Sequence, residues 1–381
     1  MTNLPASLVN HQVRLAARPL GLPRPGDWQF TEEPVRAPAE GGMLVEVLAI
    51  SLDPAMRGWM NEGRSYIAPV GLGEVMRAGG VGRVLASRHP DFAAGDLVAG
   101  GTGVQEFWSV AGEELSRARP TKIDLRLGRI GQWLNVLGMP GMTAYFGLLE
   151  VGRPQAGQTL VVSAAAGAVG QTVGQLAKIK GLRVVGIAGG PAKCEWVVGE
   201  LGFDACIDYK AAAPAGAERR DAVREGLAQH CPNGVDIYFD NVGGEILDTV
   251  LTRINRGARI VICGAISRYN ATGAVAGPKN YLSLLVNRAR MEGMVVFDYA
   301  ERYPQAVAEL AGCLKDGRIK SREDIVTGGV AAFPEFLTAN ALIEAADLAL
   351  YRAKNAGRNR IEIARPADAR QSDSGEVRHE P

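Results

Sequence analysis

The sequence predicts an α/β protein of two units, a β-rich domain followed by a doubly wound parallel sheet. Three observations predict it. Between about residues 10 and 125, short apolar runs such as MLVEVLAISLDP, GGVGRVLASRHPDFAAGDLVAG and EFWSV are separated by Gly and Pro turns, the pattern of a compact β-rich domain. From about Gly138 the rhythm changes to strand, glycine turn, helix and strand in QTLVVSAAAGAVGQTVGQLAKIKGLRVVGIAG. FDACIDYK, GVDIYFDNVGG, GARIVICGAIS and GMVVFDY then supply further short apolar strands at helix-length intervals. Strands alternating with helices imply a parallel sheet.

The 381 residues suffice for two or more domains, and 47% hydrophobic residues supply their cores. Lys plus Arg total 42 against 41 acidic residues, so charge points to neither nucleic acid nor a membrane surface as partner. A small molecule is expected instead. The N-terminal stretch MTNLPASLVNHQVRLAARPLG lacks the apolar centre of a secretory signal, and no later stretch reads as a membrane span. A cytoplasmic protein is therefore expected. The five cysteines, Cys194, Cys206, Cys231, Cys263 and Cys313, show no CxxC pairing and fit reduced thiols better than disulfides or a zinc site; the four histidines are equally scattered.

Ala165, Gly167 and Gly170 occupy the three small positions of a dinucleotide turn, A-x-G-x-x-G, with Ala168 and Val169 between the last two. Such a turn needs small residues so that backbone N–H groups can approach a pyrophosphate and the next helix can pack on the strand. The turn lies between the apolar strand Leu160 to Ala164 and a helix running to about Lys180, which is the required context. A tight structural turn without nucleotide is the alternative.

A chain that binds NAD places Asp or Glu at the end of the second strand, about 20 residues after the last glycine. Here that position falls on Gly189 and Gly190, followed by Lys193. A carboxylate would repel a 2′-phosphate, whereas glycines leave room for it and a lysine can offer a cation. The cofactor expected is NADP(H). The alternative for Lys193 is an ordinary solvated lysine at a helix start.

AAAGAVG, IAGGPAKC, LGFDACIDYK, FDNVGGE and CGAISRYN, with SLDPAMRGWM and IAPVGLGEVMRAGGVGRVLASRHPDFAAGDLVAG upstream, together resemble the zinc-independent medium-chain dehydrogenase/reductases. The resemblance is to the leukotriene B4 12-hydroxydehydrogenase/prostaglandin reductase branch with its bacterial curcumin reductase-like members, over roughly residues 10 to 326. It implies a GroES-like N-terminal domain, a Rossmann cofactor domain, and NADPH-dependent reduction of the C=C bond of α,β-unsaturated ketones or aldehydes. Zinc-dependent relatives carry an early metal-binding Cys and a later Gly-His-Glu. The corresponding stretches here, AISLDPAMRG and RAGGVGRV, hold neither Cys nor His.

By this resemblance Tyr269 is the candidate hydrogen-bond donor to the developing oxyanion, a role that suits a phenol because it is neutral at pH 7. A loop tyrosine packed on the domain is the other reading. Asn241 is similar to the family asparagine that contacts the cofactor, against simple turn formation. Tyr209 is similar to the tyrosine that accompanies the lysine at the 2′-phosphate. Arg57 belongs to the substrate-side cleft or to a structural salt bridge, and Ser267 and Arg268 are phosphate contacts by position only. Homodimers joined through the cofactor domain are frequent in the family, and GMVVFDY is compatible with a pairing edge.

The ending departs from the family. ALIEAADLALYRAKNAGRNRI resembles the closing helix and strand of GGDEF diguanylate cyclase domains, and GVAAFPE the strand before them, but the GGDEF signature and its metal-binding acids are absent. Laid over the family's ending, the segment puts Asn355 where a cofactor asparagine sits and Arg358 at the family's lysine. The division expected is 1–135, GroES-like; 136–310, NADP-binding; 311–366, a C-terminal segment returning to the catalytic domain; and 367–381, a tail. Quinone reduction by the same fold, or NADPH binding without turnover because of the altered ending, are the alternatives.

Overall fold

The computed structural model describes residues 8–211 and 219–334. The β-rich part opens with an antiparallel pair, β1 (Val9–Leu15) and β2 (Trp28–Pro34). A five-stranded antiparallel sheet follows, built from β3 (Met43–Ile50), β4 (Gly80–Ser87), β5 (Leu97–Gly100), β6 (Phe107–Val110) and β7 (Thr121–Lys122) in the order β6-β3-β4-β5-β7. The helix α1 (Ala55–Trp59) leaves the end of β3, and α2 (Gly112–Ala118) follows β6. All three strand regions expected here are present. Met43, Val45 and Val47 of β3 point into one buried cluster with Val84, Val98 and Trp108, as alternation along a half-buried strand requires.

After α3 (Ile130–Leu134) and α4 (Met139–Phe146) the chain enters a six-stranded, wholly parallel sheet. Its strands are β8 (Thr159–Ser163), β9 (Arg183–Ala188), β10 (Ala205–Asp208), β11 (Val235–Asp240), β12 (Ile254–Ile262) and β13 (Arg290–Gly293). The helices are α5 (Ala168–Ile179), α6 (Pro191–Gly199), α7 (Arg219–His230), α8 (Gly244–Leu251), α9 (Leu282–Asn287) and α10 (Tyr303–Lys315). The order β10-β9-β8-β11-β12-β13 is that of a doubly wound dinucleotide fold, with the topological switch between β8 and β11. Leu160 and Val162 face the cluster under α4, α5 and α10, whereas Val161 faces the cluster under α7 and α8. Burial on both faces explains why these strands read as unbroken apolar runs.

One expected strand is not one. GMVVFDY contributes only its first residue, Gly293, to a strand; the sheet's edge is Arg290–Gly293, and Val296–Arg302 is a 3₁₀ segment. Val296, Tyr299 and Tyr303 recur at helical spacing and pack on the α4 side, with the Tyr299 ring stacked on Phe146 at 4.8 Å. Beyond α10 the chain returns to the β-rich domain, where the Phe333 ring meets Trp28 edge-on at 5.3 Å. The residues Gly329–Ala332 form a 3₁₀ turn, not the strand that GVAAFPE was expected to resemble.

Candidate cofactor and substrate site

The glycine turn stands at the carboxyl end of β8. Ala164, with φ 50°, takes the sharp bend, so the turn begins one residue earlier than A-x-G-x-x-G implies. Ala165 instead continues the ladder, its N–H donating to Ile187 O at 3.0 Å, and packs fully buried against Gly186 of β9. Gly167 is the N-cap of α5, and its N–H donates to Ala164 O at 2.9 Å. The amides of Ala168, Val169 and Gly170 are then the first-turn donors that a helix cannot satisfy itself, and no side chain caps them. A Cβ on Gly170 would overlap Ala164 O and lie 2.9 Å from Ala165 Cα. This cradle fits a pyrophosphate at a helix N-terminus.

At the end of β9 the backbone makes a second opening. Gly190, with φ 93°, is the N-cap of α6, in a conformation that only glycine adopts without strain. Its N–H donates to Asp208 Oδ1 at 2.7 Å, an oxygen that also accepts from the Lys210 amide at 2.9 Å. The carboxylate missing from β9 is thus supplied by its neighbour, β10, but turned onto backbone amides. Asp208 was not singled out from the sequence because it lies outside the spacing of the NAD acid.

Lys193, in the first turn of α6, is 3% exposed, which excludes the solvated-lysine reading. Burial lowers its ammonium to about 7, aided by the Lys210 charge and opposed by Asp324. Tyr209 continues β10 beside this opening, its N–H donating to Ala188 O at 3.1 Å and its ring half-buried beneath the Lys210 ammonium. Gly189, Gly190, Lys193 and Tyr209 thus lie around one opening at the ends of β9 and β10. Behind them, Gln171 and Gln175 of α5 pair with the backbones of Arg322 and Lys320, which carries Asp324 to Lys193.

At the switch point a buried carboxylate organises the strand ends. Asp240, 1% exposed, accepts at Oδ1 from Ser163 Oγ (3.1 Å), Tyr238 OH (2.8 Å) and the amides of Val242 and Gly243 (3.0 and 2.9 Å). Burial raises its pKa, with those hydrogen bonds opposing. Asn241 donates from Nδ2 to Ser163 O at 2.8 Å, tying β11 to β8 where the turn begins. Its amide is thus engaged in holding the crevice together. Ser267 donates to Val242 O at 2.7 Å, and the Arg268 guanidinium lies over Gly244.

Tyr269 closes the 3₁₀ turn Ile266–Arg268 after β12. Its hydroxyl lies 3.1 Å from where a Gly264 Cβ would be, over the carboxyl ends of β11 and β12. Burial raises its pKa, and the neighbouring Ala265 backbone opposes the rise. The phenol is therefore neutral, with its proton available to give. Tyr66 of the β-rich domain is near enough to add to that rise; its own hydroxyl accepts from Trp59 Nε1 at 3.3 Å, and its ring meets Phe297 at 6.2 Å. The two domains thus share this cleft.

Among the described residues Arg57 makes no salt bridge. It is 3% exposed and donates to backbone carbonyls and amide side chains across the domain boundary, a partner set that no residue pattern announces. Asn355 and Arg358 lie outside the described residues. Among the described residues no three His, Cys, Asp or Glu side chains are grouped to hold a metal, and no helix is long and apolar enough to cross a membrane.

Two domain families match in the same order along the chain, one described as the N-terminal domain of oxidoreductase over residues 11–118, the other as zinc-binding dehydrogenase over residues 168–312. The chain is 43% identical over 328 residues to the NADPH-dependent curcumin reductase of Escherichia coli (strain K12), spanning 84% of this chain and 90% of that protein. It is 39% identical over 328 residues to the 2-alkenal reductase (NADP(+)-dependent) of Nicotiana tabacum, again spanning 84% of this chain and 90% of that protein. The crystal structure of CurA in complex with NADPH from Vibrio vulnificus superposes with a TM-score of 0.78 at 43% identity, covering 87% of this chain and 96% of that one.

Proposed function

Since this chain belongs to the medium-chain dehydrogenase/reductase family, we propose that it is an NADPH-dependent reductase of the carbon–carbon double bond in α,β-unsaturated ketones and aldehydes. The observation that carries the reading is the Tyr269 hydroxyl, neutral and poised over the carboxyl ends of β11 and β12. Ligands of such sheets bind at that end.

When bound, NADPH supplies the hydride that adds to the β-carbon. The protein's part is to position and to stabilise. The first-turn amides of Ala168, Val169 and Gly170 hold the pyrophosphate, and Lys193 with Tyr209 receives the 2′-phosphate. Asn241 keeps the strand ends at the distance the crevice needs. As negative charge develops on the substrate's carbonyl oxygen, Tyr269 donates a hydrogen bond to it, and a proton is finally added at the α-carbon. No step requires zinc: the stretches where zinc-dependent relatives carry Cys and Gly-His-Glu hold neither here.

The finer assignment, to the leukotriene B4 12-hydroxydehydrogenase/prostaglandin reductase branch, is part of this reading. So is a catalytic domain formed by residues 1–135 together with the chain that returns after the cofactor domain. The expected border at 310/311 falls inside α10, and we place it after that helix. A homodimer through the cofactor domain is supported by the edge strand β13 and by the exposed Tyr281, Leu282, Leu285 and Val286 on and beside α9. A cytoplasmic location accords with five free cysteines and a reduced dinucleotide. Asn355 is proposed to contact the cofactor, with the GGDEF resemblance confined to local sequence.

The test is to follow NADPH and NADH oxidation in parallel with a medium-length aliphatic enone, in the native chain and in Tyr269→Phe. The reading expects oxidation of NADPH alone, slowed in the variant with cofactor binding unchanged. Turnover of a quinone but not of the enone would replace it with quinone reduction, and binding without turnover would make the chain a non-catalytic NADPH-binding protein.

A further inference from the structure

Arg57 sits where the two domains meet, buried, and among the described residues it makes five hydrogen bonds, none to a carboxylate. Nε donates to Gly21 O (3.0 Å) and Asn270 Oδ1 (3.1 Å), Nη1 to Asn61 Oδ1 (2.5 Å), and Nη2 to Pro19 O (3.1 Å) and Gly21 O (2.9 Å). One guanidinium thus gathers three segments: the loop after β1, the helix α1, and the loop that carries Tyr269. The nearest anionic influence is Asp27, which acts through space and only partly offsets the desolvation that lowers the Arg57 pKa. A buried cation held only by neutral oxygens is an expensive way to gain stability.

Asn270 shows the same cost on the other side. A guanidinium can only donate, so the Asn270 amide must turn Oδ1 toward Arg57. Its Nδ2 is then left buried with no acceptor among the described residues. An orphaned donor destabilises, and the orientation persists because Arg57 imposes it. What the pair fixes is the backbone beside Tyr269, whose segment also reaches the Gly21 turn, where Thr272 Cγ2 lies 3.4 Å from the place a Gly21 Cβ would take.

We infer that Arg57 and Asn270 form a positioning pair that sets the Tyr269 hydroxyl across the domain boundary, so that the β-rich domain controls the geometry of the oxyanion donor on the cofactor domain. The inference rests on the role of Tyr269 proposed above. Neither residue acts on the substrate itself; each acts through the phenol.

Arg57→Ala strips all five contacts at once and endangers the fold, so the test uses Asn270. In Asn270→Ala, kcat with an aliphatic enone is expected to fall by about 10- to 100-fold, while the NADPH dissociation constant and the melting temperature stay near native values. Asn270→Asp, whose carboxylate still accepts from Arg57, is expected to recover most of the loss. The decisive comparison is the double variant. If the pair acts through the phenol, Tyr269→Phe with Asn270→Ala turns over no more slowly than Tyr269→Phe alone. A further loss of the same factor in the Tyr269→Phe background, or no loss in Asn270→Ala, would overturn the inference while leaving Tyr269 in place. An unchanged kcat in Tyr269→Phe alone would instead remove the reading of Tyr269, and the inference with it.

Discussion

Asn241 and Ser163 lock the switch point of the parallel sheet: the Asn241 amide donates to Ser163 O at 2.8 Å, and the Ser163 hydroxyl accepts from the Asn241 N–H at 2.9 Å. These two bonds join the ends of the strands that flank the cofactor crevice, β8 and β11. Replacing Asn241 by Ala removes the side-chain bond and is expected to cost about 1 kcal/mol of stability. NADPH affinity should fall with it. Thermal unfolding and a fluorescence titration with NADPH read the two effects, and an unchanged affinity would return Asn241 to a turn former.

Gly170 has no room for a methyl group, because its Cβ would overlap Ala164 O at the bend itself. Gly170→Ala is expected to push α5 off β8, at a cost of about 1–3 kcal/mol, and to abolish tight NADPH binding. At Gly167 the same Cβ stands 3.2 Å from Ala164 O, a contact that a small shift relieves. Gly167→Ala should therefore be the milder variant in thermal unfolding. A reversed order would contradict the geometry of the turn.

With Lys193 at the 2′-phosphate as proposed, cofactor choice is expected to depend on pH. Its ordinary value of 10.5 is lowered to about 7 by burial, so above that pH the free protein carries it increasingly neutral, whereas a bound 2′-phosphate favours the charged form. NADPH binding then takes up a proton, and the preference for NADPH over NADH should weaken as pH rises above about 7. Lys193→Met should remove both the preference and its pH dependence. Isothermal titration of NADPH in buffers of different ionisation enthalpy measures the proton directly.

The same group bears on stability. Between about 7 and 10.5 the unfolded chain holds a proton that the folded chain has released, so this lysine makes stability rise with pH across that window. Below it, the full cost of burying the charge is present. Lys193→Met should accordingly raise the melting temperature of the cofactor-free protein near pH 7 while impairing NADPH binding, a loss of stability retained for function. A lower melting temperature in the variant would contradict the burial of a charge at this site.

Zinc should be dispensable. Dialysis against a strong chelator is expected to leave enone turnover unchanged, with metal analysis showing no stoichiometric zinc. Loss of activity that zinc restores would overturn the zinc-free chemistry.

The sheet and its crevice were legible in the sequence because each signal is local: apolar runs, small residues at fixed spacing, and glycines where an acid would exclude a phosphate. What escaped depends on contacts distant in the chain. GMVVFDY reads as a strand by composition, yet Val296, Tyr299 and Tyr303 use helical spacing to reach Phe146, while the true edge, RMEG, is mostly exposed and carries no apolar pattern. Asp208 and Asp240 look like ordinary strand-end acids until the backbone amides they hold are known. Apart from Asn61, Arg57 reveals its partners only when residues 36 to 213 positions away are folded around it. Ala164 takes a bend that the motif assigns to its neighbour.

The most direct measurement is where the hydride goes. With NADPH carrying deuterium at the transferred position of the nicotinamide and a linear enone as substrate, mass spectrometry and NMR of the product locate the label. Deuterium on the β-carbon of a saturated ketone, with the carbonyl intact, is the result predicted for reduction of the double bond beside Tyr269. Deuterium on the carbonyl carbon of an allylic alcohol, or no labelled product while NADPH remains bound, would contradict it.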